Sequence, residues 1–337
     1  NLFGSGNALT LGLNTSESSR TLALSFTNPY YTVDGVSLGW DLYHRTYDAD
    51  ELDTVSPYKT VSTGAGIRLG WPIAEDDQIN FGLTADQTEI TTYTLSPKLY
   101  KDFCRDFGGC NNPDGTGVVT VRSLLATVGW SRDSRDSFTY PRAGTYQRVY
   151  GEVTVPVGDL RYGKLGYQYQ HWFPIGRDYA LMLNADVGWA KGFGGKEVPF
   201  YKNYYVGGIG SVRGYDQGSI GPKFRDTDGD ITSTGGTRKV VGNAEFYFPM
   251  PGAGKDRSFR ISAFFDAGYV WGEDEQPLGG DAFVEQDVRF NDLRYSTGLA
   301  FSWSSPIGPL KFSFGHPLNK KDNDEIQRFQ FQLGSVF

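Results

Sequence analysis

The chain of 337 residues has no long apolar run: nothing approaches the ~18 consecutive apolar residues that mark a transmembrane helix. Cysteine and methionine occur twice each and histidine three times. Two cysteines are too few for a structural zinc site, and His44, His171 and His316 have neither metal-ligand nor triad-like local spacing. Neither H-E-x-x-H nor a phosphate-binding loop is present. Positive charge is in deficit, with 32 Lys+Arg against 39 Asp+Glu and a net charge of −7. No basic patch interleaves with aromatics, so nucleic acid is not an expected partner. Capped stretches of helical period are also lacking, and no helix is predicted. The residues thus call for no cofactor, no metal and no catalytic group. The opening Asn1-Leu2-Phe3-Gly4 is neither basic nor followed by an apolar leader core, so the numbering is expected to start inside a mature chain.

What the chain has in abundance is glycine (44), phenylalanine (23), tyrosine (21) and tryptophan (7), on a polar average with mean hydropathy −0.41. Apolar residues alternate with polar or small ones almost everywhere. Leu22, Leu24 and Phe26 alternate with Thr21, Ala23 and Ser25; Ile79, Phe81, Leu83 and Ala85 alternate with Asn80, Gly82, Thr84 and Asp86. Period two is the strand signal. It predicts about fourteen strands, near residues 7–14, 19–28, 36–46, 61–71, 78–90, 119–131, 145–156, 161–173, 178–190, 238–248, 258–271, 292–303, 309–316 and 326–337. A soluble sandwich would alternate similarly, so the connections decide. Short ones (28–36, 72–78, 133–144, 174–178, 249–257, 304–309) largely alternate with a set containing long ones (47–60, 91–118, 191–238, 272–291). That asymmetry belongs to outer-membrane β-barrels, whose strands need only about 9–11 residues with every second one apolar. The short side repeats an aromatic-proline pattern, as in Trp71-Pro72-Ile73 and Trp172-Phe173-Pro174-Ile175, which predicts an aromatic girdle at one membrane interface. The expected fold is all-β, a transmembrane antiparallel β-barrel in one domain over 1–337, closed because lipid leaves no partner for an open edge.

One stretch stands apart. Gly207-Gly208-Ile209-Gly210-Ser211-Val212-Arg213-Gly214-Tyr215 lies in a Gly-rich segment without periodicity, roughly 192–239, and such long connections are usually functional or disordered. Arg213 offers a planar fork suited to a carboxylate. Glu245 and Asp266 sit on the polar faces of neighbouring predicted strands, where both would point into the lumen. The expectation is a loop folded inward and held by Arg213 to these acids; on the residues alone, acids that merely face water remain the alternative. Cys104 and Cys110 flank a loop-like segment, as a local disulfide or as two free thiols. Gly35-Val36-Ser37-Leu38-Gly39 matches G-x-S-x-G but opens an alternating strand, not the strand–turn–helix that a nucleophile needs. Asp226, Asp228 and Asp230 form D-x-D-x-D, yet Ile231 and Thr237 replace the Gly and Glu of a calcium loop, leaving an acidic loop tip.

Val212-Arg213-Gly214-Tyr215 resembles the V-R-G-[FY] signature of the superfamily of outer-membrane insertases and two-partner-secretion transporters. The resemblance extends to Thr27-Asn28-Pro29-Tyr30-Tyr31-Thr32-Val33-Asp34-Gly35, to Gly194-Gly195-Lys196-Glu197-Val198-Pro199-Phe200-Tyr201, to Ser219-Ile220-Gly221-Pro222-Lys223, to Ser304-Ser305-Pro306-Ile307-Gly308-Pro309-Leu310 and to the ending Phe329-Gln330-Phe331-Gln332-Leu333-Gly334. It covers nearly the whole chain and is closer to the insertase branch. It implies an assembly factor of the bacterial outer membrane that folds and inserts other β-barrel proteins. It implies outer-membrane lipids, unfolded β-barrel clients and BAM complex lipoproteins as partners, and no enzymatic step. In the family the signature arginine reaches acids at the positions of Glu245 and Asp266. The last strand kinks at a glycine matching Gly334, and Phe337 supplies a terminal aromatic signal. The family barrel has sixteen strands preceded by POTRA domains, so the POTRA domains and first two strands are expected to lie outside this chain. The cysteine pair falls in an earlier extracellular loop than in some relatives. A two-partner-secretion transporter or a porin-like channel is the alternative, with a barrel enzyme behind both.

Overall fold

The computed structural model describes residues 4–138, 140–250, 252, 258–272, 290–305 and 308–334. In chain order its strands are β1 (Ala8–Thr15), β2 (Ser19–Asn28), β3 (Ser37–Asp48), β4 (Tyr58–Pro72), β5 (Asp77–Thr92), β6 (Gly117–Asp133), β7 (Gly144–Val155), β8 (Tyr162–Ile175), β9 (Tyr179–Gly192), β10 (Gly214–Tyr215), β11 (Lys223–Arg225), β12 (Ile231–Ser233), β13 (Arg238–Pro249), β14 (Phe259–Trp271), β15 (Arg294–Ser305), β16 (Gly308–Pro317), β17 (Ile326–Gln327) and β18 (Phe329–Leu333). Fourteen of them form one sheet in the order β1-β2-β3-β4-β5-β6-β7-β8-β9-β13-β14-β15-β16-β18. Every neighbour is antiparallel, and thirteen of the fourteen predicted strands coincide with a wall strand to within a few residues.

The wall is two-faced because side chains alternate along each strand. On the outer face Leu11, Leu22, Leu42, Ile67, Leu83, Leu183, Leu299 and Phe331 lie between 40% and 65% exposed. In water such a surface would be a liability; against hydrocarbon it is the favourable side of the alternation. The wall curls. The Tyr140 hydroxyl, in the turn after β6, donates to the Ser258 carbonyl at 3.2 Å just before β14, with β7, β8, β9 and β13 between them in the sheet. Among the described residues, β1 and β18 each pair on one side only.

The short-side aromatics divide between the faces. Trp71 and Phe173 point outward, 53% and 41% exposed, as a girdle requires. Trp172 points inward, buried against Tyr247 with ring centres 5.1 Å apart, because adjacent strand residues face opposite sides.

Three elements depart from the expectations. A helix, α1 (Lys98–Asp106), occupies the 93–116 connection. The segment between β9 and β13 carries three short strands, with β11 paired to β12 and β10 paired to β17. The final strand, predicted as one piece over 326–337, divides: β17 turns away from the wall and β18 stays in it. Phe337, read from the sequence as a terminal signal, lies outside the described residues.

At the long-loop end the connections interlock over the lumen. Tyr58, Ile90, Tyr100, Cys104, Cys110, Val121 and Phe200 form one buried cluster drawn from β4, β5, α1, β6 and the segment after β9. Tyr100 stacks on Phe200 at 3.8 Å, and Tyr58 meets both edge-on. The Ser56 amide donates to the Ser233 carbonyl at 2.9 Å, and the Thr54 hydroxyl to the Gln217 carbonyl at 2.6 Å. This dome joins the loop after β3 to the long loop (residues 193–237).

Candidate functional site: the inward-folded loop

The long loop descends into the barrel and meets the inner faces of β13 and β14. Asn243↔Asp266 and Glu245↔Phe264 are register partners on these two strands, so a carboxylate projects from each strand into one patch of lumen wall. Arg213 closes on that patch. Its Nε donates to Asp266 Oδ2 at 2.8 Å, Nη2 to Asp266 Oδ1 at 2.9 Å and Nη1 to Glu245 Oε2 at 3.2 Å. The Arg213 backbone amide adds a fourth bond, to Asp266 Oδ2 at 3.1 Å. The guanidinium lies over the Phe264 ring, 3.6 Å from its centre. All three charged residues are buried: Arg213 is 8% exposed, Glu245 7% and Asp266 0%.

Such burial is tolerable because partners surround the charges. The Ser262 hydroxyl donates to Glu245. Asn243 donates to Asp266 Oδ1 and to the Ser211 carbonyl, and itself accepts from Asn184, which accepts from Gln168. One polar rung thus crosses β8, β9, β13 and β14 and ends on the arginine's carboxylate. Burial alone would lower the guanidinium's pKa, but the bonds to Asp266 and the nearby Glu245 charge outweigh it, and the pKa is raised. Arg213 stays charged at any pH the fold survives.

The neighbours of Arg213 hold the loop by other means. Val212 and Tyr215, both fully buried, pack with Val206, Ile220, Val241, Tyr269 and Val270. Gly214 has φ +89, and a Cβ there would lie 3.0 Å from the Gly315 carbonyl carbon on β16. Only glycine combines that backbone angle with that approach. Gly214 and Tyr215 form β10, paired with Gln327 and Ile326 of β17. Burial, followed by the Asp324 charge, pushes the Tyr215 phenol up to about 12.

The other sequence candidates lie elsewhere. Cys104 and Cys110 are joined in a disulfide, Cα atoms 5.6 Å apart, inside the dome. Gly334 ends β18 at φ +87, its amide still bonded to the Pro309 carbonyl at 2.8 Å. Ser37 of the G-x-S-x-G match is an ordinary strand residue whose hydroxyl reaches the Gly70 carbonyl at 3.3 Å. Asp226 accepts the amides of Asp228 and Asp230, closing the tip between β11 and β12. Among the described residues no three His, Cys, Asp or Glu side chains gather as a metal site.

Sequence reasoning passed over Phe264, Asn243 as a donor, Gln330, Arg294, Asn319 and Asp324. A lumen-facing Asn beside an acid is a weak signal. Arg294 and Asp324 lie 30 residues apart with no shared periodicity, so nothing local could have joined them.

A family model described as the Omp85 superfamily domain matches residues 1–337. The chain is 42% identical to the outer membrane protein assembly factor BamA of Neisseria meningitidis serogroup B, over 100% of this chain and 44% of that protein. It is 27% identical to BamA of Nitratidesulfovibrio vulgaris, over 100% of this chain and 39% of that protein. The chain therefore spans less than half the length of these relatives. The crystal structure of BamA from Haemophilus ducreyi lacking POTRA domains 1–3 superposes with a TM-score of 0.87 at 30% identity, covering 97% of this chain and 64% of that one.

Proposed function

The chain belongs to the Omp85 superfamily, and from that premise we propose that it is the barrel of an outer-membrane assembly factor, which folds β-barrel clients and inserts them into the bilayer. The observation that carries the reading is the buried clamp of Arg213 on Glu245 and Asp266, which fixes a long loop inside the lumen. A passive pore has no need of a buried ion-pair tether on a loop within its lumen. The work is physical rather than enzymatic. The barrel perturbs the bilayer around it and presents strand edges to a client, whose own backbone pairing then drives insertion. Partners are outer-membrane lipids, unfolded β-barrel clients and the lipoproteins of the assembly complex.

The test is reconstitution of the whole protein in lipid vesicles with an unfolded β-barrel client, scored by the client's folding rate. Arg213→Ala leaves two carboxylates buried without their cation; breaking a buried pair this way costs about 3–5 kcal/mol. Client folding is expected to slow at least several-fold, and the loop to become open to protease. A variant that assembles clients at the normal rate with a normally protected loop removes the clamp from the mechanism.

A further inference from the structure

The Arg213 clamp is one of the loop's attachments. Another lies two residues on, beside the last strand of the order. Tyr215 and Gly214 pair with Ile326 and Gln327, and the Asp216 amide continues the ladder to the Glu325 carbonyl at 3.0 Å. Gln330, buried on β18, donates from its amide nitrogen to the Tyr215 carbonyl at 2.7 Å. The segment that receives the loop is itself pinned. Arg294, at the start of β15, grips Asp324 through Nε–Oδ2 at 2.5 Å and Nη2–Oδ1 at 3.1 Å, with both residues buried. Asn319 bridges the same elements: its amide nitrogen donates to the Leu293 carbonyl at 2.6 Å, and its Oδ1 accepts the Tyr295 amide at 2.7 Å. The Tyr215 hydroxyl lies within 3.5 Å of that Oδ1.

We propose that Arg294, Asp324 and Asn319 are positioning residues that latch the tip of the long loop to the last wall strand, so that loop and strand move as one body. The physical reason is the shortness of the last ladder. Among the described residues β18 pairs with β16 over Phe329–Leu333, with one further backbone bond at each end (Gly315 amide to the Arg328 carbonyl, Gly334 amide to the Pro309 carbonyl), whereas β16 pairs with β15 along its whole length. A strand held by so few backbone bonds is the easiest in the wall to displace. The latch adds a second hold at its upstream end, through β17. Arg213 fixes the loop to β13 and β14, and Tyr215, two residues on, fixes it to β17. The signature thereby ties the middle of the wall to its last strand. This inference rests on the assembly reading for its consequence, but the latch itself is measurable without any client.

The test uses a cysteine pair at Asp216→Cys and Glu325→Cys, the next position in the β10–β17 register, in a Cys104→Ser, Cys110→Ser background of the whole protein. Directly opposed strand residues fall within disulfide reach. Asp324→Ala is expected to slow cross-linking about tenfold and to lower client folding, while the barrel keeps its heat-modifiable mobility. Asn319→Ala, which leaves the buried ion pair intact, should show a smaller effect in the same direction and covers the case in which Asp324→Ala does not fold. Oxidising the pair in the Asp324→Ala protein should restore client folding, and dithiothreitol should abolish the rescue. Unchanged cross-linking in both variants overturns the latch. Slowed cross-linking with unchanged client folding, or a locked variant that stays inactive, overturns its role in positioning. Failure of every form of the protein, unsubstituted included, to fold clients falls on the assembly reading and leaves the cross-link result intact.

Discussion

Two glycines set how close the signature can come to the wall. A Cβ on Gly315 would lie 2.7 Å from the Gly214 nitrogen and 2.8 Å from its Cα, where backbone meets backbone and no side chain can yield. Gly315→Ala is therefore expected to lift the loop off β16 by overpacking, at a cost of about 1–3 kcal/mol. Limited proteolysis should find the long loop cut faster than in the parent, with the wall unaffected. Gly214 is one of several glycines in its segment, and Gly315 is a single glycine in an alternating strand. The need for them arises only where two backbones 101 residues apart in number touch (214 to 315). Arg213 was legible for a different reason. Its charge, set in an aperiodic glycine run, required a carboxylate, and Glu245 and Asp266 stood at lumen-facing positions of neighbouring strands.

At the level of elements, α1 shows what a search for long periodic segments overlooks. Leu99, Tyr100, Phe103, Cys104 and Phe107 do recur at helical spacing, but over nine helical residues with Pro97 before them and no side-chain cap. An isolated helix that short is marginal in water. Here the Tyr100–Phe200 stack and the Cys104–Cys110 bridge hold it. A disulfide closing so short a loop contributes about 2 kcal/mol in the chain-entropy account. Cys104→Ser should accordingly speed protease cleavage within 93–116 while client folding and heat-modifiability stay near normal; a collapse of the whole barrel would contradict so local a role. The divided last strand fails prediction for a related reason. Ile326 falls out of phase with Phe329, Phe331 and Leu333, but that slip names no partner; it is the non-local β10 that pairs with Ile326 and Gln327 away from the wall.

For the molecule as a whole, the dome separates this barrel from a porin. Its core of Tyr58, Tyr100 and Phe200 ties the connections together at the long-loop end, and the long loop is held inside the wall by Arg213. Planar-bilayer recordings should show no steady open-pore current. Tyr100→Ala with Phe200→Ala, which removes the central stack, should raise the frequency of transient conductance several-fold. A large constant current from the unsubstituted protein would return the porin-like alternative.

Period-two alternation, read together with the alternation of short and long connections, pointed to the architecture before any coordinates, because a wall between lipid and lumen imposes opposite solvents on successive residues of every strand. The number of strands, their boundaries and the inward acids all follow from that one constraint. Local sequence could not determine which end of the wall the long loop grips, where the last strand leaves the sheet, or that Arg294 finds Asp324. Those choices depend on contacts between residues far apart in the chain, and the curl of the wall around its own loop is what brings them within bonding distance.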